Sequence, residues 1–258
     1  MSILVKNLSV KASNKKLLSN ISLEFRAGEM IAVVGENGAG KTTLINSLTG
    51  GSFSQKCVSI NGLPVESYSL SELASMRAVL TQSNDLTFPF TVTEVVRLGL
   101  SLSCLSQSQQ LLAVQRCLRK VDALHLKNRD YTTLSGGEKQ RVQLARVLAQ
   151  ISLDSELPRY LFLDEPTSAL DMKHQFETLK MLRSLRQLNI GVFIILHDIN
   201  LAAMYCDKIL LLQQGQLLKM GAPTEVLNQD TIKQGFGVDV HILNHPTSHS
   251  PIIINQSI

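Results

Sequence analysis

No apolar run in this sequence is long enough to cross a bilayer. The longest, such as Val192-Phe193-Ile194-Ile195-Leu196, have the length of a strand, far short of the ~18–20 residues that a membrane helix needs. Whatever the chain does at a membrane therefore requires a separate embedded partner. Its four cysteines, Cys57, Cys104, Cys117 and Cys206, show no CxxC spacing. The opening Met1-Ser2-Ile3-Leu4-Val5-Lys6 has neither the basic start nor the apolar stretch of a secretory signal. Free thiols in a reducing compartment are expected rather than disulfides. Basic residues are scattered rather than clustered, and the net charge is only +4, so no nucleic-acid-binding stripe is read from them. Internal repeats and long low-complexity tracts are also missing. With 44% apolar and 18% charged residues across 258 positions, the chain can bury a core, and global disorder is not expected.

Short β-rich runs alternate with longer helical stretches, the pattern of an α/β fold. Residues 3–10 and 21–25 alternate apolar and polar side chains, as half-buried antiparallel strands do. Residues 30–34 are continuously apolar and end in a glycine-rich loop, as a buried parallel strand would. Residues 160–163, 191–196 and 208–212 read as further core strands, and 213–216 as a hairpin turn into 217–220. Between 83 and 156 strand signals give way to helical periodicity, notably at 93–100 and 107–124, with a Ser- and Gln-rich junction at 101–110. This reads as a helical subdomain, 83–156, inserted into a nucleotide-binding α/β core formed by 1–82 and 157–240. The tail, 241–258, with Pro246 and Pro251, is expected to be peripheral.

Gly35-Glu36-Asn37-Gly38-Ala39-Gly40-Lys41-Thr42 is a complete GxxxxGK[ST] phosphate loop between a buried strand and a helix over 42–48. Glycines let the backbone curl so that several N–H groups face phosphate oxygens, and the helix start adds partial positive charge. Lys41 can reach the β- and γ-phosphates, and the Thr42 hydroxyl can ligate Mg²⁺, with Thr43 beside it. In Tyr160-Leu161-Phe162-Leu163-Asp164-Glu165 four apolar residues end in two carboxylates. Asp164 is placed to hold Mg²⁺ through water, and Glu165 to polarise an attacking water. A third motif, Leu134-Ser135-Gly136-Gly137-Glu138-Lys139-Gln140-Arg141, opens a helical run at 138–149 and provides a second anion-binding helix start.

That third motif resembles the signature sequence of ABC ATPases, and the other motifs follow the family's order over residues 1 to about 245. The resemblance implies a P-loop NTPase core with an antiparallel β subdomain, a helical insertion, and hydrolysis of ATP with Mg²⁺. It implies that Gln82 is the glutamine-loop residue contacting Mg²⁺, that Ser168-Ala169-Leu170-Asp171 crosses a dimer interface, and that His197 is the switch histidine near the γ-phosphate. Ser135, Gly136 and Gly137 would then complete the phosphate-loop site of a second copy. The family commonly stacks adenine on an aromatic residue of the first hairpin, where this chain has Val10; an aliphatic surface for the base is expected instead. His125 and His174 are expected at the surface. His241, His245 and His249 are too loosely spaced for a ligand framework.

Of the family's kinds, an exporter half carries its own membrane helices, and a soluble ABC protein of translation or repair has two cassettes or a long coiled coil. Neither feature is read here. The expectation is a homodimeric subunit peripheral to the cytoplasmic face of the inner membrane, docked on two copies of a permease that an external solute-binding protein supplies. The stretch from Leu86 through Phe88-Pro89-Phe90 to Gly99 is similar to importers of the iron-siderophore, haem and cobalamin group. Ala145-Arg146-Val147-Leu148-Ala149-Gln150, the later Pro158-Arg159-Tyr160, and the tail's His245-Pro246 with Pro251 resemble the haem branch. Haem import is the implied function, with siderophore or cobalamin import as the alternative and a soluble non-transport ABC ATPase as the reading from another class.

Overall fold

A computed structural model describes residues 1–12, 15–50, 57–82, 88–152 and 158–256. The chain begins with strands β1 (Ser2–Ala12), β2 (Lys15–Arg26) and β3 (Met30–Val34), then helix α1 (Lys41–Leu48). Short strands β4 (Val58–Ile60) and β5 (Leu63–Pro64) precede α2 (Leu70–Met76) and β6 (Arg77–Leu80). A helical stretch follows: α3 (Val92–Arg97), α4 (Gln107–Lys120) and α5 (Gly136–Ile151). Then come β7 (Arg159–Asp164), α6 (Met172–Ser184), β8 (Ile190–Ile195), α7 (Ile199–Tyr205), and the hairpin β9 (Lys208–Gln213) and β10 (Gln216–Gly221). The chain closes with α8 (Pro223–Val226), α9 (Gln229–Phe236) and the hairpin β11 (Val240–Asn244) and β12 (Pro251–Asn255).

The central sheet has the order β10-β9-β3-β8-β7-β6. Its strands from β9 to β6 run parallel, and β10 is an antiparallel edge. The uninterrupted apolar runs of β3, β7 and β8 follow from burial on both faces. Alternate side chains go to two separate cores. Ala32, Leu161, Leu163 and Ile194 pack toward the helices with Val96, Leu118 and Leu148. Ile31, Tyr160, Phe162 and Phe193 pack toward α1 and an antiparallel sheet of order β2-β1-β4-β5. There Phe25 of β2 meets Tyr160, Phe162 and Phe193 with ring centroids 5.5, 6.2 and 5.5 Å apart. The fold class expected from the sequence is the one observed. The limits drawn at 83 and 156 for the helical insertion fall outside the described residues.

The tail departs from expectation. Rather than a loose periphery, 240–255 forms a two-stranded hairpin tied to α7. The Asn200 amide donates to the Ile253 carbonyl at 3.2 Å and accepts from its N–H at 2.8 Å, as a neighbouring strand would. Ile242 and Ile253 pack on the main core. His174 also departs. Its side chain is only 18% exposed, because Nδ1 bonds Asp171 at 2.9 Å and Nε2 meets the Arg141 guanidinium on α5.

Candidate active site

The phosphate loop leaves β3 at Gly35, whose φ is +148°. A Cβ there would lie 2.2 Å from the Leu212 carbonyl oxygen, so the strand beside it admits only glycine. The Gly215 N–H, from the β9–β10 turn, holds the Ala39 carbonyl at 3.0 Å. Helix α1 has Gly40 at its cap position, with no capping side chain and no acid in its first turn. By contrast α2, α3, α4 and α5 each close their start with a capping box. The first-turn amides of α1 are thereby left open for an anion. Glu36, Asn37 and Gly38 form the exposed rim, and Thr42 is exposed beside the half-buried Thr43. Lys41 is 7% exposed, and its ammonium turns back to donate to the Gly35 and Glu36 carbonyls at 2.8 and 2.9 Å. Burial lowers its pKa, while Glu165 and Asp164 oppose that shift.

At the end of β7 the two carboxylates take different surroundings. Asp164 is 3% exposed, and its Oδ1 is buried without a hydrogen-bond partner. Burial raises its pKa; a bond with the Thr42 hydroxyl works against that rise. A buried carboxylate oxygen left unpaired beside a hydroxyl suits a divalent cation. Glu165 has φ +52°, a left-handed backbone that turns its side chain out of strand alternation. One carboxylate oxygen lies 2.6 Å from His197 Nε2, and the other accepts from the Gln82 amide at 3.3 Å. Gln82, Glu165 and His197, read separately from the sequence, thus converge on one point. They come from the ends of β6, β7 and β8, where a parallel sheet gathers its catalytic side chains.

Ser135 caps α5. Its hydroxyl accepts from the Glu138 N–H at 3.3 Å, and the Glu138 carboxylate accepts from the Ser135 N–H at 2.8 Å. The Ser-x-x-Glu spacing carries that capping signal, which the sequence reading did not use. A cavity of about 210 Å³ is lined by Gln82, Asp164 and Glu165 and, from α5, by Gly136 and Gln140. Neither Lys41 nor Ser135 lines it. The loop, the metal-suited carboxylate and the aimed carboxylate together can hold a triphosphate and activate a water.

A family profile described as ABC transporter matches residues 18–168. The chain belongs to the ABC transporter family. It binds and hydrolyses ATP to drive transport, as members of that family do. Two curated relatives are similar to this ABC ATPase along nearly its whole length. The Hemin import ATP-binding protein HmuV of Escherichia coli O157:H7 is 43% identical over 253 residues, covering 96% of this chain and 97% of that protein. The protein of the same name from Hahella chejuensis is 43% identical over 249 residues, with 96% and 97% covered. Among solved structures, a dimeric bacterial ABC transporter cassette superposes with a TM-score of 0.74 at 25% identity, covering 85% of this chain and 98% of that one.

The base-binding surface of this ABC ATPase differs from expectation. Val10 is 1% exposed, paired with Leu18 inside the core between the sheets. Strand alternation puts Ser9 and Lys11 on the solvent face instead. Val10 therefore offers adenine no platform. Val10→Tyr is expected to overpack the core and cost about 1–3 kcal/mol of stability, with no gain in discrimination between ATP and GTP. Thermal unfolding and nucleotide competition on the same sample check both parts. Improved ATP preference at unchanged stability would contradict the assignment.

Proposed function

We propose that this chain is the ATPase subunit of a haem importer, acting as a head-to-tail dimer on two copies of a membrane permease. The observation that carries the cargo is 43% identity over nearly the full length to proteins named for hemin import. The dimer draws support from the dimeric cassette that shares the fold and from the exposure of Ser135 and Gly136 at the start of α5. No helix among the described residues is long and apolar enough to cross a membrane, which fits a subunit peripheral to the cytoplasmic face of the inner membrane. Phe88 and Phe90 are exposed just before α3, in the segment that would meet the permease in this proposal. Leu86 and Thr87 of that segment lie outside the described residues. An external solute-binding protein would deliver cargo to the permease, and nucleic acid has no part in the proposal.

In the proposed cycle the amides of the loop from Gly35 to Thr43 cradle the phosphates. Lys41 exchanges its two carbonyl partners for phosphate oxygens. Thr42, Gln82 and Asp164 would hold Mg²⁺, which supplies positive charge to the β- and γ-phosphates. Ser135, Gly136 and Gly137 of the second copy close over the same nucleotide. Glu165 takes the proton of the attacking water as general base. His197 and Gln82, which both contact the Glu165 carboxylate, would be the residues to meet the γ-phosphate and Mg²⁺ respectively.

Cells that depend on haem as iron source should stop growing when this chain is deleted or carries Lys41→Ala. Growth on haem that survives while siderophore or cobalamin uptake fails would reassign the cargo and leave the ATPase reading standing.

A further inference from the structure

We infer that Gln140 is a positioning residue for hydrolysis, locking the backbone turn that aims Glu165 to the start of α5. The inference rests on the proposed role of Glu165 as base. Gln140 lies one turn into α5, half-buried, and its amide is used at both ends. Nε2 donates to the Glu165 carbonyl at 2.7 Å, and Oε1 accepts from the Ala169 N–H at 2.9 Å. One side chain thus holds the first and last residues of the turn 165–169. The amide offers its donor and its acceptor side by side for these two partners.

The turn needs holding because Glu165 adopts the left-handed conformation at φ +52°, which a residue with a Cβ enters at a cost. The Ser168 N–H and hydroxyl also reach the Glu165 carbonyl, at 3.3 and 3.1 Å. Those bonds close the turn on itself; Gln140 fastens it to a different element. Two neighbours on α5 reinforce the attachment. At Gly137 a Cβ would lie 2.9 Å from the Ala169 carbonyl oxygen, so helix and turn approach as closely as backbone allows. Arg141 contacts His174, whose ring bonds Asp171, the cap of α6. The start of α5 and the turn therefore move as one body. In the proposed dimer, a shift of α5 against the partner's nucleotide reaches Glu165 through the Gln140 bond.

The test uses the full chain and two variants. Gln140→Leu removes both bonds. Gln140→Glu keeps the size and the acceptor for Ala169 but loses the donor to Glu165. In both, kcat per nucleotide-binding subunit should fall about tenfold or more, with half-saturating ATP changed less than about threefold. A purely structural residue would instead lower the fraction that binds nucleotide and leave kcat per binding subunit intact. Glu165→Gln is assayed alongside. Wild-type kcat in both Gln140 variants beside an inactive Glu165→Gln overturns this inference alone, as does loss of nucleotide binding in both. Wild-type turnover in Glu165→Gln overturns the underlying reading of the base.

Discussion

Replacing Glu165 by Gln lowers ATP turnover by at least ~100-fold, the range expected when a general base is lost. The substitution keeps the size of the side chain and an oxygen for the Gln82 amide, but removes the ability to take a proton. Nucleotide binding should persist, because the proposed phosphate contacts come from the loop between β3 and α1 and from Mg²⁺ at Asp164, not from Glu165. The contrast with Asp164 sharpens the assignment. Asp164 is 3% exposed with an unpartnered oxygen, which suits a metal. Glu165 stands out from the strand, within 2.6 Å of His197, which suits a water. Steady-state hydrolysis measured beside equilibrium binding separates the two steps. Turnover near wild type in Glu165→Gln would remove Glu165 from the chemistry.

Lys41→Ala should weaken ATP binding itself, by at least about thirtyfold, as expected for truncating one member of a buried charge pair. Lys41 is 7% exposed, and its ammonium already donates to the Gly35 and Glu36 carbonyls. Exchanging two neutral acceptors for phosphate oxygens makes each bond charge-assisted on both sides. The fold should survive, since the loop is pinned independently by Gly215 and by the close packing at Gly35. Calorimetric titration of ATP into the folded variant reads the loss. Wild-type affinity in Lys41→Ala would contradict the placement of the phosphates.

The sequence showed most clearly what depends on neighbours along the chain. The apolar run of β3 ending in glycines, the paired acids after β7 and the Ser-Gly-Gly start of α5 each carry their own local signal. What it hid depends on distant partners. Val10 alternates correctly for a core residue, but a family position suggested a base platform; the pairing with Leu18 shows which face it occupies. His174 reads as an ordinary surface helix residue until Arg141, 33 positions away, meets its ring. The tail, with two prolines, gave no sign that Asn200 would receive β12 like a strand, 53 positions on. Gln140 sits among charged neighbours at a helix start, and nothing local marks it as the residue that grips the turn 165–169.

The central proposal is that each ATP is held by the phosphate loop of one copy and the α5 start of the other. Mixing a Lys41→Ala chain with a Ser135→Arg chain tests this most directly. In a head-to-tail dimer both lesions fall in one composite site, and the other site has every part intact. Each variant alone should trap no nucleotide. The equimolar mixture should trap one per mixed dimer, or about a quarter of the wild-type total if copies pair at random in a two-fold dimer. A mixture as empty as its components, or full hydrolysis by strictly monomeric protein, would contradict the shared site.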